Sequence, residues 1–303
     1  MPTIIGLAAI ARSGKDTVAS MLLEHGDVAA YALADPLKLG CQSLFGLTDE
    51  ETWSDDLKEK QIPAWGMSPR QMFQRVGTEF LRDHNPDHWL LRADRHLNHS
   101  KPESEPAPSL SGEPAKSPSF IEAAAEIEAA AEPTTSPTAA PSEPPAGAPS
   151  TATVSIWLAV QSIWGITDQQ AFEPTSRDAT DPYWSLTPND MYGVLEHYLN
   201  KYFPNYKEVR NKLPLQPPIR SLTPTEGKTK FIIKDIRFEN EADFWRSHNG
   251  VIWHIVRHNA AKVNAHTSEA GIKVQQDDTI IENNGTLEEL RLKVDLAWTN
   301  VHS

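Results

Sequence analysis

The stretch Ala9-Ile-Ala-Arg-Ser-Gly-Lys-Asp-Thr17 decides how this chain is read. It follows an apolar run, Thr3–Ala8, and opens a helix-like stretch, Val18–Leu23. A strand, a small-residue turn and a helix start gather backbone N–H groups around one point, and the helix dipole adds partial positive charge there. Anions bind such a nest. Lys15 adds mobile positive charge suited to the β- and γ-phosphates of a triphosphate, and a hydroxyl just beyond it can sit close to a metal ion. The loop departs from the pattern G-x-x-x-x-G-K-[ST] in two places, with Ala9 for the first glycine and Asp16 for the hydroxyl residue, which follows as Thr17. A surface turn that happens to contain Ser-Gly-Lys is the alternative, and the strand before and helix after it favour the phosphate loop.

Composition narrows the classes. The 303 residues are ample for one large domain or two, and a net charge of −13 argues against a chain whose main task is neutralising a nucleic-acid backbone. A small anionic ligand is compatible, because nests and arginines act locally whatever the net charge. The single cysteine, Cys41, excludes an internal disulfide and a multi-cysteine zinc site, and reads as a small buried apolar residue in a reducing cytosol. No apolar run approaches eighteen residues, so no membrane span is expected. The N-terminus shows neither a basic leader nor a cleavage site, so it does not read as a signal peptide.

Moving outward from the loop, Val28–Leu33 reads as a second buried strand leading into Ala34-Asp-Pro-Leu-Lys38. Residues just past the carboxyl ends of parallel strands meet ligands, which places Asp35 and Lys38 near a substrate, with a solvated Asp-Pro turn as the alternative. Ser68-Pro69 opens a helix over Arg70–Arg82 in which Met72, Phe73, Val76 and Phe80 make the buried stripe. On an α-helical period Arg70, Gln74 and Gly77-Thr78 share another face, able to grip a phosphate and read a base edge, or simply to face water.

From Lys101 to Ser150 prolines, alanines, serines and glutamates replace the aromatics, leaving only Phe120. Such a segment cannot bury enough apolar surface to offset its ordering entropy, so it reads as a disordered linker. Beyond it, Gln161-Ser-Ile-Trp-Gly-Ile-Thr-Asp168 repeats Gln42-Ser-Leu-Phe-Gly-Leu-Thr-Asp49, and the same spacing carries Pro63, Trp65, Pro69 and Met72 onto Pro182, Trp184, Pro188 and Met191. That is an internal duplication of the helical segment. The copy keeps packing residues and loses polar ones, since Asn189, Gly193 and Glu196-His197 stand where Arg70, Gln74 and Gly77-Thr78 do. It reads as a packing or partner surface; accidental likeness between two halves of a split module is the alternative.

Strands return with Lys230–Arg237, whose end carries Asp235 and Arg237, and with Val251–Arg257, ending in Arg257. A carboxylate at a strand end beside a phosphate loop suits Mg²⁺ or its water shell, and an arginine there suits a phosphate; an ordinary ion pair is the bland reading. His266-Thr-Ser-Glu-Ala-Gly271 is a polar loop, Asp278–Glu282 a last short strand, and Thr286-Leu-Glu-Glu289 a capping box. The expected fold class is α/β: a three-layer phosphate-loop kinase fold with a parallel sheet, a helical substrate or lid region, the linker and a degenerate duplicate of the helical region. The expected divisions are residues 1–100 and 221–303 for the kinase core, 101–150 for the linker and 151–220 for the duplicate.

The chain resembles the phage-type deoxynucleoside monophosphate kinases. The likeness lies in Ala11-Arg-Ser-Gly-Lys-Asp-Thr17, Leu33-Ala-Asp-Pro-Leu-Lys38, the Arg-x-x-x-Gln-x-x-Gly-Thr-Glu run from Arg70 to Glu79, Asp87-His-Trp89, Asp235-Ile-Arg-Phe-Glu-Asn-Glu241, Val256-Arg257, His266–Gly271 and Asn283–Leu290. It covers about residues 1–95 and 229–295, and it explains Asp16 as a family trait. The resemblance implies transfer of the γ-phosphoryl group of ATP to a deoxynucleoside monophosphate. It implies ATP held by Ala11, Arg12, Ser13, Gly14, Lys15, Asp16 and Thr17, with Lys15, Arg12, Arg257 and Asp16 acting in catalysis. Thr17, Asp16 and Asp235 would organise Mg²⁺. Asp35, Lys38, Arg70, Gln74, Gly77, Thr78, Trp89, Asp235, Arg237 and Glu241 would hold the acceptor. The implied partners are small nucleotides, with no stable nucleic-acid or membrane binding, a homodimer as one use of the duplicate, and a cytoplasmic setting, that of the host cell if phage-encoded. Two alternatives stay open: another phosphate-loop kinase, such as one acting on dephospho-coenzyme A, and a non-catalytic nucleotide-binding assembly protein.

Overall fold

Five short strands, each rich in β-branched or small apolar residues, form one sheet in which every neighbouring pair is parallel, in the order β2-β3-β1-β4-β5. They are β1 (Thr3–Ala9), β2 (Val28–Tyr31), β3 (Lys230–Ile236), β4 (Val251–Val256) and β5 (Thr279–Glu282). This computed structural model describes residues 2–10, 12–83, 85–98, 149–216, 218–248, 250–258 and 272–301. Nearly all of the linker 101–150, together with Ala11, His266–Gly271 and the side chain of Asp235, lies outside the described residues.

The chain forms two interleaved compact units: Met1–Asp35, Asn85–Lys101 and Ser221–Ser303 in one, Pro36–His84 and Pro102–Arg220 in the other. In the first, the two strand faces carry separate cores, as a parallel sheet covered on both sides requires. Alternation along β1 sends Ile5 and Leu7 to a face shared with Val18 and Leu22 of α1 (Lys15–Leu22) and with Leu290 and Val294 near the chain's end. Ile4 and Ala8 point to the opposite face, where buried Trp245, Leu90 and Ala93 pack. The result is the expected three-layer α/β plan. Among the described residues no helix is long and apolar enough to cross a membrane.

The helical unit is one piece used twice. Its first copy runs through α2 (Asp35–Phe45), α3 (Asp49–Trp53), α4 (Pro69–Gln74) and a π-helical segment, Arg75–Arg82. After α5 (His88–Asn98), which belongs to the first unit, the second copy runs through α6 (Thr151–Trp164), α7 (Asp168–Phe172), α8 (Pro174–Arg177) and α9 (Pro188–Tyr202), followed by α10 (Tyr206–Asn211). Local chemistry repeats with the sequence. Capping boxes close on Thr48/Glu51 and Thr167/Gln170, then on Ser68/Gln71 and Thr187/Asp190. The Trp65 indole donates to the Phe45 carbonyl at 2.8 Å, and the Trp184 indole to the Trp164 carbonyl at 2.7 Å. Matching bridges pair Ile62 with Met67 and Asp181 with Leu186. Caps, bridges and indole contacts thus repeat together at the spacing of the sequence repeat.

Several boundaries and faces differ from the sequence reading. β2 stops at Tyr31, short of Leu33, and α2 begins at Asp35. The helix expected over 70–82 is α-helical only to Gln74, so an α-period places residues beyond that point on the wrong face. Gly77 is buried, and a Cβ there would meet Leu37 at 2.3 Å, so Gly77 lets this segment close on α2 instead of facing a ligand. Cys41 is fully buried, which pushes its thiol up and leaves it inert, as expected.

The remaining elements are α11 (Glu239–Ser247) and α12 (Leu287–Val301), the latter opened by the expected box, with the Thr286 and Glu289 backbone amides bound to each other's side chains at 3.0 and 3.2 Å.

Candidate active site

The loop between β1 and α1 is shaped to leave the helix start bare. Gly14 caps α1 in the left-handed region at φ 95°, and among the described residues no side chain caps the helix, in contrast to the hydroxyl caps on α3, α4, α7 and α9. The first-turn N–H groups of α1 are therefore open to an anion. The Ser13 hydroxyl donates to the Ile10 carbonyl at 2.8 Å, and the Asn283 amide donates to the Ser13 carbonyl at 2.8 Å, tying the loop to the chain beyond β5. Arg12 also adopts φ 64°, a strained choice for a residue with a side chain, of the kind that concentrates at functional loops.

Ala9 loses its strangeness here. It is the last residue of β1, in register with Ile255 of β4, and among the loop's described residues the left-handed positions are Arg12 and Gly14. Position 9 therefore needs no glycine. Position 14 does: a Cβ would stand 2.2 Å from the Asn283 amide nitrogen and force a left-handed alanine. Gly14→Ala is expected to cost about 1–2 kcal/mol through backbone strain and to weaken binding of a non-hydrolysable ATP analogue about tenfold or more. Thermal unfolding with and without the analogue measures both.

Lys15 and Asp16 pair with each other at 3.2 Å at the helix start, the carboxylate largely in water, and Thr17 is exposed beside them. A cleft of about 200 Å³ opens at the carboxyl ends of β1, β3 and β4, lined by Ala9, Ile10, Arg237, His254 and Arg257 among others. Strand ends thus carry the loop, Arg237 and Arg257 to one edge of the sheet, as the sequence reading required. Asp235 sits one residue inside the end of β3, its side chain outside the described residues.

Other expected ligands have structural employment. Glu241 is buried and accepts the Arg237 and Phe238 backbone amides at 2.8 and 3.3 Å, so it caps α11 and fixes the strand end that bears Arg237. Trp89 is buried near the start of α5, its ring edge-on to His88 at 4.7 Å. Asp35 starts α2, half-buried. In the helical unit, Lys38 lies 4.4 Å over the Trp53 ring, while Gln74 and Thr78 are exposed. Arg70 pairs with Glu59, and Asn189 repeats that contact with Asp178 in the second copy, so the pair is part of the common scaffold.

Sequence reasoning missed the floor of the cleft. His254 Nε2 lies 2.8 Å from Asp278 Oδ2, and Arg246 binds the same carboxylate at 2.6 and 3.1 Å. The Asp278 side chain is 2% exposed. Burial alone would raise its carboxyl group, but hydrogen bonds from Arg246, the Gln275 amide and His254 outweigh that and hold it below the ordinary range. Alternation within β4 was the available signal, since it puts a polar residue between Trp253 and Ile255. Nothing in the sequence tied His254 to Arg246 and Asp278.

A parallel sheet in this order, with an uncapped helix start delivered by a glycine after its middle strand, is the fold of the phosphate-loop kinases. Within that class, residues 220–294 match the family model described as deoxynucleotide monophosphate kinase. The chain is 42% identical over 83 residues to a protein of Acanthamoeba polyphaga mimivirus provisionally named a deoxynucleotide monophosphate kinase, covering 27% of this chain and 43% of that one. It is 34% identical over 68 residues to the deoxynucleotide monophosphate kinase of Enterobacteria phage T4, covering 22% of this chain and 28% of the phage protein. The Escherichia phage RB69 enzyme of the same name gives 31% over 65 residues, covering 22% and 27%. The chain spans less than half the length of these relatives, and over the matched segments its likeness to deoxynucleotide monophosphate kinases is plain.

Proposed function

We propose that this chain transfers the γ-phosphoryl group of ATP to the phosphate of a deoxynucleoside monophosphate, giving ADP and the diphosphate. The observation that carries this reading is the uncapped start of α1, set by Gly14, at the same sheet edge as Arg237 and Arg257. An acceptor phosphate oxygen forms the new bond to the γ-phosphorus as the bond to the bridging β,γ-oxygen breaks, and that oxygen leaves on ADP. Little covalent help is needed, so positioning and charge neutralisation supply most of the acceleration.

Gly14, Lys15 and the open amides hold the ATP phosphates, and Arg12 and Arg257 balance charge on the transferred group. Arg237, held by Glu241, takes the acceptor phosphate together with Asp35. Within the helical unit, taken by itself, Lys38, Arg70, Gln74 and Thr78 are the groups suited to a nucleotide, with Gly77 shaping the segment that bears them, and in the first unit Trp89 shapes the start of α5. Among the described residues no cluster of three acidic, histidine or cysteine side chains could hold a metal alone. Mg²⁺ keeps several waters and binds through phosphates and one or two protein oxygens, here Thr17, Asp16 and Asp235. When bound, Mg²⁺ neutralises charge on the phosphates. The reaction then runs in a cytoplasmic setting on small nucleotides.

The test is ADP release by the full chain with ATP, Mg²⁺ and each of the four deoxynucleoside monophosphates, their ribo-counterparts and dephospho-coenzyme A. ADP release confined to one or more deoxynucleoside monophosphates is expected. Preference for dephospho-coenzyme A would reassign the acceptor, and ATP binding without turnover on any acceptor would favour the assembly role.

A further inference from the structure

The second helical copy raises the question of what its retained packing face covers. Within the helical unit, the two copies touch through equivalent positions. Gly40 and Ala159 are equivalent, and a Cβ on Gly40 would lie 3.7 Å from the Ala159 carbonyl and 2.8 Å from Ile163, so α2 and α6 approach closely there. At the far end of the repeat, Phe80 stacks on Tyr198 with ring centroids 4.2 Å apart and planes at 21°.

These too are equivalent, once one residue is allowed for. Pairing Val76 with Leu195 and Leu81 with Leu199, all buried, leaves the first copy one residue longer in between, and Phe80 then falls on Tyr198. The extra residue lies in the π-helical segment Arg75–Arg82, where the second copy has the plain α-helix α9. Single-residue insertions are how π-turns arise in α-helices, often at functional sites. Pro86 and Pro204 keep the shifted register. Contacts between like positions occur on the axis of a two-fold interface, where a surface is complementary to itself.

The copies differ where a ligand would bind. At the place of Lys38 the second copy has Trp157, 5% exposed, packed against Tyr192 at 4.8 Å and under the Arg177 guanidinium at 4.3 Å. A buried aromatic ring thus stands where the first copy carries a charge. Gln74 gives way to Gly193, and the π-turn has no counterpart in the second copy.

We propose that the duplicate stands in, within one chain, for the second subunit of a dimer built through the helical segment, so that the chain is a monomer with one acceptor site. The single-site part of this statement rests on the kinase reading; the monomer part does not. It replaces the homodimer expected from the sequence, because the self-complementary face is already covered by the chain's own second copy.

Sedimentation equilibrium on the full chain tests it directly. The expected mass is that of one chain, 33.7 kDa, from low to high micromolar concentration, with or without ATP and a deoxynucleoside monophosphate. A mass rising toward twice that value would overturn the proposal. Tyr198→Lys puts a charge against Phe80 and is expected to open the face, so that mass becomes concentration-dependent; a variant with unchanged far-ultraviolet dichroism that stays monomeric would show the face is not self-complementary. If that variant unfolds, the wild-type mass still decides. Equilibrium dialysis of a deoxynucleoside monophosphate should give one site per chain. Two sites would overturn the single-site claim, whereas no binding by a monomeric chain would count against the kinase reading and leave the pseudo-dimer standing.

Discussion

Lys15→Ala is expected to lower kcat/KM for ATP-dependent phosphorylation by about 10³-fold while leaving the chain folded, the scale at which removing one preorganised charge stabiliser acts. The side chain starts α1, pairs with the water-exposed carboxylate of Asp16, and takes no part in either sheet core. Its loss therefore costs little stability. The effect should fall mainly on kcat, because developing charge on the transferred group is greatest in the transition state. Steady-state kinetics with unfolding curves for both proteins check this. A variant retaining a tenth or more of wild-type turnover would remove the phosphate loop from the mechanism.

The buried cluster behind the cleft gives the largest expected effect on stability. Asp278→Ala strands Arg246 and His254 beside a vacated carboxylate site, and breaking a buried ion pair from one side typically costs about 3–5 kcal/mol. Because the Asp278 carboxyl group is held below its ordinary value, its contribution is complete above that value and is lost as pH falls through the lowered one. Wild-type stability should thus drop steeply as pH falls below about 4, and part of that drop should vanish in Asp278→Ala. Urea unfolding of both chains across acid pH measures it. Asp27, lowered to about 2 by Lys230 and Thr229, has the same sign and remains in both proteins, so the difference isolates Asp278.

Much of this was legible in the sequence because it depends on local chemistry. The phosphate loop, the strand-end arginines and the Thr286 box each follow from residues within a few positions of one another. The duplication was legible because Trp, Pro and Gly leave a pattern that survives loss of polar groups. Three things were hidden. The π-turn at Arg75–Arg82 looks like helix to any periodicity argument, since one inserted residue leaves the apolar stripe nearly intact. Glu241 reads as a ligand beside Arg237, yet its carboxylate closes on two backbone amides. The His254–Asp278–Arg246 cluster joins β4, α11 and the turn before β5, whose spacing carries no motif, and only the fold brings the three together.

The strand order also fixes when this protein can begin to exist as a sheet. Thr3 and Val28 both pair with Lys230, and β1 and β2 are not partners of each other. Their shared neighbour is made only after about two hundred further residues, which at ordinary translation speeds is roughly 10–40 s. For that interval the nascent chain carries two orphaned apolar strands. A chain arranged this way depends on whatever shelters these two strands on the ribosome, and its yield in the cell should respond to chaperone supply more than its thermodynamic stability would suggest.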